Sequence, residues 1–158
     1  MNITRTEAED FLYAEAEMLD SWDLRKWLSL FATPAEYVIP PPGRPEADPD
    51  REAFLVFDDR SMLEHRVESL LKRTAHAEWP HSRTRRMITN VRVAPAEPGQ
   101  LVTANFAVHR VRNGRLTTFI GRYQHLLVEH EGALRFRRRV ATLDLDVLHE
   151  EGKVSIIL

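Results

Sequence analysis

The stretch Leu116–His130 limits the fold most strongly, because it is long, lacks proline and is rich in β-branched and aromatic residues. Along a strand, its odd-numbered residues share one face and its even-numbered residues share the other. Neither face is purely apolar, which predicts a sheet covered by a helix on one side and only partly covered on the other. Gly121 in the middle predicts a bend or bulge that curves the strand.

Helical patterns precede this strand. Thr4 and Glu7 form a predicted capping box, after which apolar residues recur at helical spacing as far as Trp22. Asp23 is predicted to cap a short second helix with its side chain. A third helix is expected after Asp58 and Asp59, with a capping box of Ser61 with Glu64 and an exposed ion pair of Glu68 with Lys72.

Strand-like runs occupy most of the remaining chain. They are Ala35–Pro40, Phe54–Phe57, Met87–Ala94, Leu101–Val111, Leu116–His130 and Leu134–Val147. Asn113-Gly114 and Glu131-Gly132 separate the last runs, and Asn-Gly is a strong hairpin signal. Helices followed by an antiparallel meander predict an α+β fold, and a chain of 158 residues fits one domain, residues 1–158.

Composition excludes several classes of function. Apolar residues make up 43% of the chain and charged residues 29%, as in globular proteins. The formal net charge of -2 provides no overall attraction to nucleic acid or to an anionic membrane. No window reaches the roughly 18 apolar residues that cross a bilayer, and the acidic N-terminus does not have the layout of a signal peptide. We therefore expect a cytoplasmic protein.

The chain has no cysteine, which rules out disulfides, thiolate nucleophiles and cysteine-held iron–sulfur clusters. A mononuclear iron site needs two histidines and a carboxylate that face one point. His76 and His81 flank Trp79-Pro80 without helical spacing, and His125 and His130 point to opposite faces of a strand. We expect no catalytic residue, no cofactor and no metal ligand in this chain.

Arg83, Arg85 and Arg86 crowd together, and Arg92 follows them. The cluster lacks the interleaved aromatic residues that are typical of nucleic-acid surfaces. Arginine is enriched at protein interfaces because its planar guanidinium pairs with carboxylates through two hydrogen bonds. These arginines and Trp79 are therefore candidate subunit-interface residues, with plain intramolecular ion pairs as the alternative.

A second basic run lies in the last predicted strand. Arg135, Arg137 and Arg139 alternate along it and should share one face. We interpret that face as a solvated outer surface.

The C-terminal tail is apolar to its last residue, and a free monomer rarely exposes such an end. The tail is predicted to complete a sheet edge or to be buried against a neighbouring subunit. Ile156, Ile157 and Leu158 therefore join the candidate interface.

Several passages together resemble one family. They are LDSWDLRKWLSLFA near the start, SRTRRMITNVRV in the middle, FIGRYQHLL, and the closing LDLDVLHEEGKVSIIL. In this order and spacing they are similar to the beta (small) subunit of aromatic-ring-hydroxylating dioxygenases, which are Rieske non-haem iron oxygenases. The resemblance covers nearly the whole chain, and SRTRRMITNVRV is its most specific part.

The resemblance implies a cystatin-like, nuclear transport factor 2-like roll, shaped as a cone. It also implies a structural, cofactor-free subunit that contacts other beta subunits and assembles with an alpha subunit, typically as an α3β3 hexamer. The alpha subunit would carry the Rieske [2Fe-2S] cluster and the mononuclear Fe(II). A reductase and a ferredoxin would deliver electrons from NAD(P)H for cis-dihydroxylation of an aromatic ring.

Two other functions stay open on the residues alone. A stand-alone roll-fold dehydratase or isomerase would need acid–base groups in the mouth of the cone. The residues available for that role are Tyr13, Asp23, His76, His109 and Tyr123. A homo-oligomeric binding module without activity is the third possibility.

Overall fold

The computed structural model describes residues 1–72, 79–144 and 154–158. In chain order the elements are α1 (Arg5–Asp20), α2 (Leu24–Leu28), β1 (Phe31–Ile39), β2 (Val56–Asp59), α3 (Arg60–Leu71), β3 (Arg83–Ala96), β4 (Gly99–Arg112), β5 (Arg115–His130) and β6 (Ala133–Leu143). None of these helices is long and apolar enough to cross a membrane.

The strands form a six-stranded sheet with the order β2-β1-β6-β5-β4-β3. The last four strands form the predicted antiparallel meander. Its tight turns use residues with positive φ at Asn113-Gly114 and Glu131-Gly132, as the hairpin prediction requires. Strand β1 pairs with β6 in parallel, so the sheet is mixed. The sequence did not indicate this pairing. The last predicted strand ends at Leu143, and its residues 145–147 lie outside the described part of the chain.

The two faces of β5 have different environments. The odd-numbered residues from Phe119 to Leu127 are buried, and α1 and α2 contribute Leu12 and Trp27 to the same core. The even-numbered residues Ile120 and Arg122 are exposed. The alternation therefore predicts correctly which residues lie together, and burial shows that the odd-numbered face is the inner one.

Gly121 forms no bulge, which corrects the prediction. The pairing of β4 with β5 is continuous through Phe106 and Gly121. A Cβ atom on Gly121 would lie 2.8 Å from the Phe106 Cζ atom and still closer to the backbone carbonyl oxygen of Thr142. Glycine is needed here because two neighbouring groups approach the backbone closely.

The helix caps agree with the sequence in part. The Thr4 and Glu7 capping box is present, with hydrogen bonds of 3.1 Å and 2.7 Å. The Asp59 carboxylate caps α3 by accepting from the Met62 amide, so the box predicted at Ser61 and Glu64 is wrong, because Ser61 already lies inside the helix. Asp23 occupies the N-cap position of α2, but its side chain makes no capping hydrogen bond.

Lys72 attracts the Glu68 carboxylate electrostatically, as predicted, but the hydrogen bonds of Glu68 go to another residue. Glu68 accepts two hydrogen bonds of 2.9 Å from the Arg25 guanidinium on α2. Because the guanidinium engages the carboxylate through two parallel bonds, it is the better-matched partner. Both side chains are exposed, so this link between α2 and α3 contributes little to stability.

The C-terminal tail packs into its own chain, which corrects the prediction of a sheet edge or a neighbouring subunit. Ile156, Ile157 and Leu158 are all buried in the core. The Leu158 amide donates to the Tyr37 hydroxyl at 3.1 Å, and the Tyr123 hydroxyl donates to Leu158 O at 3.3 Å. The tail therefore fills the space between two inner strands and the helices.

Candidate functional site

A buried ion pair lies at the centre of the roll. Arg139 Nε donates to Glu15 Oε2 at 2.5 Å, and its Nη2 donates to Glu15 Oε1 at 3.3 Å. Both side chains are at most 1% exposed. The Trp27 indole also donates to Glu15 Oε2, at 2.9 Å. The carboxylate of α1 is thus held by groups from α2 and β6.

Aromatic rings surround the guanidinium. Its central carbon lies 5.1 to 5.7 Å from four ring centroids, those of Tyr123, Tyr37, Trp27 and Phe136. Rings at this distance attract a cation through their electron-rich faces. Burial alone lowers the pKa of Arg139, but the Glu15 carboxylate outweighs it, so the pKa is raised and the group stays charged.

Arg139 faces inward because of an irregularity in β6. Leu127 pairs with Phe136 whereas Leu126 pairs with Arg138, so Arg137 is an extra residue. Phe136 and Arg139 both point to the core as a result. The predicted solvated face of Arg135, Arg137 and Arg139 is therefore wrong for Arg139. Period-two counting fails there because one inserted residue reverses the faces that follow it.

His125 lies in the same interior and is fully buried. Its Nδ1 atom accepts a hydrogen bond of 3.1 Å from the Val140 amide. Its ring lies between Tyr123 and Phe136, with centroid distances of 4.7 and 5.0 Å. Burial, followed by the charge of Arg139, holds the pKa of His125 well below its usual range. The neutral imidazole therefore packs against the neighbouring rings and accepts a hydrogen bond from the backbone.

This burial predicts a specific loss of stability in acid. The pKa of His125 is lower in the folded state than in the unfolded state, where it is about 6.5. The contribution of the neutral imidazole to the free energy of unfolding is therefore fully present above a pH of about 6.5. Below that pH this contribution decreases by about 1.4 kcal/mol per pH unit. We expect His125→Gln, which can still accept from Val140, to lower stability at pH 7.5. When the pH is lowered from 7.5 to 5.5, the free energy of unfolding of this variant should fall by about 1 kcal/mol less than that of the parent protein.

Urea unfolding at the two pH values measures this difference. His130→Gln is the control, because it makes the same substitution on the same strand at a partly exposed side chain. Equal acid losses in the parent and in His125→Gln would contradict a neutral buried imidazole.

The described residues of the enzyme alternative lie apart from one another. Tyr13 is 50% exposed on α1, and Asp23 is exposed at the start of α2. His109 lies on the outer sheet face, 2.9 Å from the Thr118 hydroxyl, whereas Tyr123 lies in the core. His76 lies outside the described residues. In the described ranges, no group of three or more histidine, cysteine, aspartate or glutamate residues could hold a metal ion.

Three apolar side chains lie next to one another on the outer face of β3, β4 and β5. Met87 pairs across β4 with Ala107, which pairs with Ile120 on β5. Met87 is 58% exposed and Ile120 is 54% exposed. Toward the end of the strands, Val111 and Leu116 are also exposed and pair with each other. We call this surface, from Arg83 to Arg92 and across to Ile120 and Arg122, the outer face.

Arginines surround that apolar group. Arg83, Arg85, Arg92 and Arg122 are exposed on the outer face, and none of them has a carboxylate partner among the described residues. Residues 83–128 contain eight arginines and a single acidic residue, Glu97, although the whole chain has a net charge of -2. The segment of β3 to β5 is therefore basic, whereas the rest of the chain is acidic.

The predicted interface residues separate into two groups. Arg83, Arg85 and Arg92 lie on the outer face, and Trp79, which is 36% exposed, precedes β3. Arg86 instead points inward, donates to Asp20 at 2.6 Å and also donates to Ile157 O. With the buried tail residues Ile156, Ile157 and Leu158, it has an intramolecular role. For these four residues the structure removes the reason for an interface assignment.

Sequence reasoning missed the apolar members of the outer face. Met87 shares its strand face with Arg83 and Arg85, and Ile120 shares its face with Leu116 and Arg122. Alternation along each strand contained this signal, but only the pairing of strands shows that the two short patterns form one surface.

The comparisons with known proteins agree with one another. A family model described as ring hydroxylating beta subunit matches residues 14–150. The small oxygenase component of the p-cumate 2,3-dioxygenase system of Pseudomonas putida is 40% identical over 158 residues, which cover 99% of this chain and 88% of that protein. The anthranilate 1,2-dioxygenase small subunit of Acinetobacter baylyi is 32% identical, over 84% of this chain and 85% of that protein.

A solved structure has the same fold. The structure of naphthalene 1,2-dioxygenase with indole bound in the active site contains a chain that superposes with a TM-score of 0.83 at 22% identity. The match covers 98% of this chain and 85% of that chain. The helices packed on an open, curved, mixed sheet are thus the nuclear transport factor 2-like roll that the sequence predicts.

Proposed function

Because this chain belongs to the family of ring-hydroxylating dioxygenase beta subunits, we propose that it is the structural small subunit of a terminal oxygenase that acts on an aromatic compound. The observation that supports this role is the filled interior. The space where a roll-fold enzyme would keep its acid–base groups is occupied by the Glu15–Arg139 pair, four aromatic rings and the C-terminal tail. A stand-alone dehydratase or isomerase would need that space for its substrate.

The redox chemistry would belong to an alpha subunit. A Rieske [2Fe-2S] cluster needs two cysteines and two histidines, and this chain has no cysteine, so the residues present do not fit that cluster. In our proposal the alpha subunit also holds the mononuclear Fe(II) and the aromatic substrate. Electrons from NAD(P)H would reach it through a reductase and a ferredoxin, in a cytoplasmic α3β3 complex that forms a cis-dihydrodiol.

This chain would contribute a surface that is buried in contacts with the other subunits. The proposed subunit contacts are Trp79 and the outer-face arginines Arg83, Arg85 and Arg92. These exposed guanidinium groups have no carboxylate partner in the described part of the chain, so they can pair with carboxylates of another subunit. A core fixed by a buried ion pair and stacked rings presents those side chains from a stable sheet rather than from loops.

Reconstitution tests this function. The chain is purified alone, a subunit with a Rieske signature from the same organism is purified separately, and the two are mixed. We expect the chain alone to contain no stoichiometric iron and to show no turnover. On mixing we expect a stable complex with oxygenase activity on an aromatic substrate.

The matched control for reconstitution is a beta subunit of a different dioxygenase, mixed with the same Rieske subunit. Turnover of a small substrate by this chain alone would contradict the proposal and favour the enzyme alternative. A chain that never binds the Rieske subunit but forms a stable homo-oligomer would favour a binding module.

A further inference from the structure

We propose that the outer face is the docking site for the large oxygenase subunit, and that the large subunit contributes an acidic surface with an apolar centre. This inference rests on the proposed function and adds to it the surface and the chemistry of the partner. The helices and strands that the structure describes leave the outer face uncovered.

The apolar centre is the first argument. Met87, Ala107 and Ile120 lie side by side on three neighbouring strands, and the two larger side chains are more than half exposed. Neighbouring strands are about 4.8 Å apart, so the three side chains form one contiguous surface about 10 Å wide. Apolar side chains grouped at the middle of a polar surface are typical of the centre of a protein interface.

The arginines around this apolar centre are the second argument. Arg85 pairs with His109, and Arg92 pairs with Thr103, so the two arginines lie about 20 Å apart along the strands, on either side of Met87. On β5, Arg122 lies two residues beyond Ile120. A complementary partner therefore has carboxylates spaced about 20 Å apart around its apolar centre.

A second copy of this chain fits the outer face poorly. In a two-fold contact the same basic surface would face itself, and unpaired arginines would repel one another. The exposed acidic side of α1, with Asp10, Tyr13 and Glu17, has the complementary charge. However, α1 packs on the inner side of the sheet, where it contributes Leu12 to the core. A contact between these opposite sides would be head-to-tail, so it could form a ring of copies only with a rotation that closes, and it would not be the face-to-face contact of a two-fold dimer. A different protein is the better match.

The test uses two matched pairs of variants in the full-length chain. Met87→Glu on the outer face is compared with Met62→Glu on α3, because these methionines are 58% and 50% exposed. Arg85→Glu is compared with Arg51→Glu, whose arginine is also exposed but lies in the loop before β2. Circular dichroism and urea unfolding first establish that all four variants fold.

The readout is the Kd for the purified Rieske subunit, measured by titration calorimetry, with oxygenase turnover measured on the same mixtures. We expect Met87→Glu and Arg85→Glu each to raise the Kd by at least about 30-fold, as for central interface residues. Met62→Glu and Arg51→Glu should change it by less than about threefold. Raising the salt concentration should weaken parent binding more than binding of Arg85→Glu.

Other results would overturn the inference in distinguishable ways. If both outer-face variants bind the Rieske subunit like the parent protein, the complex forms through another surface and the proposed function stands. If they instead lower the mass of the isolated chain in light scattering, a second copy occupies the outer face. If the parent protein itself does not bind the Rieske subunit, the proposed function fails together with the docking site.

Discussion

Glu15→Gln is expected to destabilise the protein by about 3–5 kcal/mol, the cost of removing one partner from a buried ion pair. Arg139 would keep its charge in an interior with no exposure and would lose its only anionic partner among the described residues. The surrounding rings attract the cation but carry no net negative charge, so they cannot replace the carboxylate as its counter-ion. Urea unfolding followed by tryptophan fluorescence measures the loss.

Two further variants separate charge from packing. Glu17→Gln changes an exposed carboxylate on the same helix and should alter stability by less than about 0.5 kcal/mol. The double variant Glu15→Leu with Arg139→Met removes both charges, and we expect it to recover most of the stability lost in Glu15→Gln. A loss below about 1 kcal/mol in Glu15→Gln would show that the pair does not hold the interior together.

Gly121→Ala is expected to destabilise the protein by about 3 kcal/mol or more, at the upper end of the range for overpacking. The added methyl group would overlap the Thr142 backbone carbonyl and lie 2.8 Å from the Phe106 ring. A flexible side chain could move away, but the carbonyl belongs to β6, which is paired with β5 on one side and β1 on the other. Thermal or urea unfolding of the purified variant measures the effect.

The control for Gly121→Ala is Gly43→Asn. Gly43 has a φ of +74° in an exposed loop, and no atom lies within 4 Å of the point that a Cβ atom would occupy. Asparagine tolerates that conformation, so the expected change is below about 1 kcal/mol. Equal stabilities for Gly121→Ala and Gly43→Asn would mean that β5 and β6 can separate without cost, contrary to the close contact at Thr142.

The packed interior and the exposed outer face both agree with the role of a structural subunit. The interior of the roll holds a paired charge and packed rings, and neither is accessible to a substrate from outside. Exposed Met87 and Ile120, with arginines that have no carboxylate partner among the described residues, lie on the opposite side of the sheet. Chemistry on an aromatic compound would then depend on a partner, and this chain would supply a stable surface on which the partner rests.

The sequence by itself determined the order of the helices and the antiparallel meander of this protein. Capping residues at Thr4, the hairpin turn at Asn113-Gly114 and the alternation in Leu116–His130 are local signals, and each is readable within a few residues. The absence of cysteine, a property of composition, excluded a Rieske site in this chain without any structure. The family resemblance supplied the roll.

Only the tertiary structure decided which polar residues are buried and which surfaces are bare. Arg139 faces inward because one inserted residue, Arg137, shifts the pairing of β6 with β5, and Arg86 meets Asp20 across 66 positions of sequence. The outer face exists because three strands align Met87, Ala107 and Ile120. Such outcomes depend on register and on contacts between distant segments, and local periodicity contains neither.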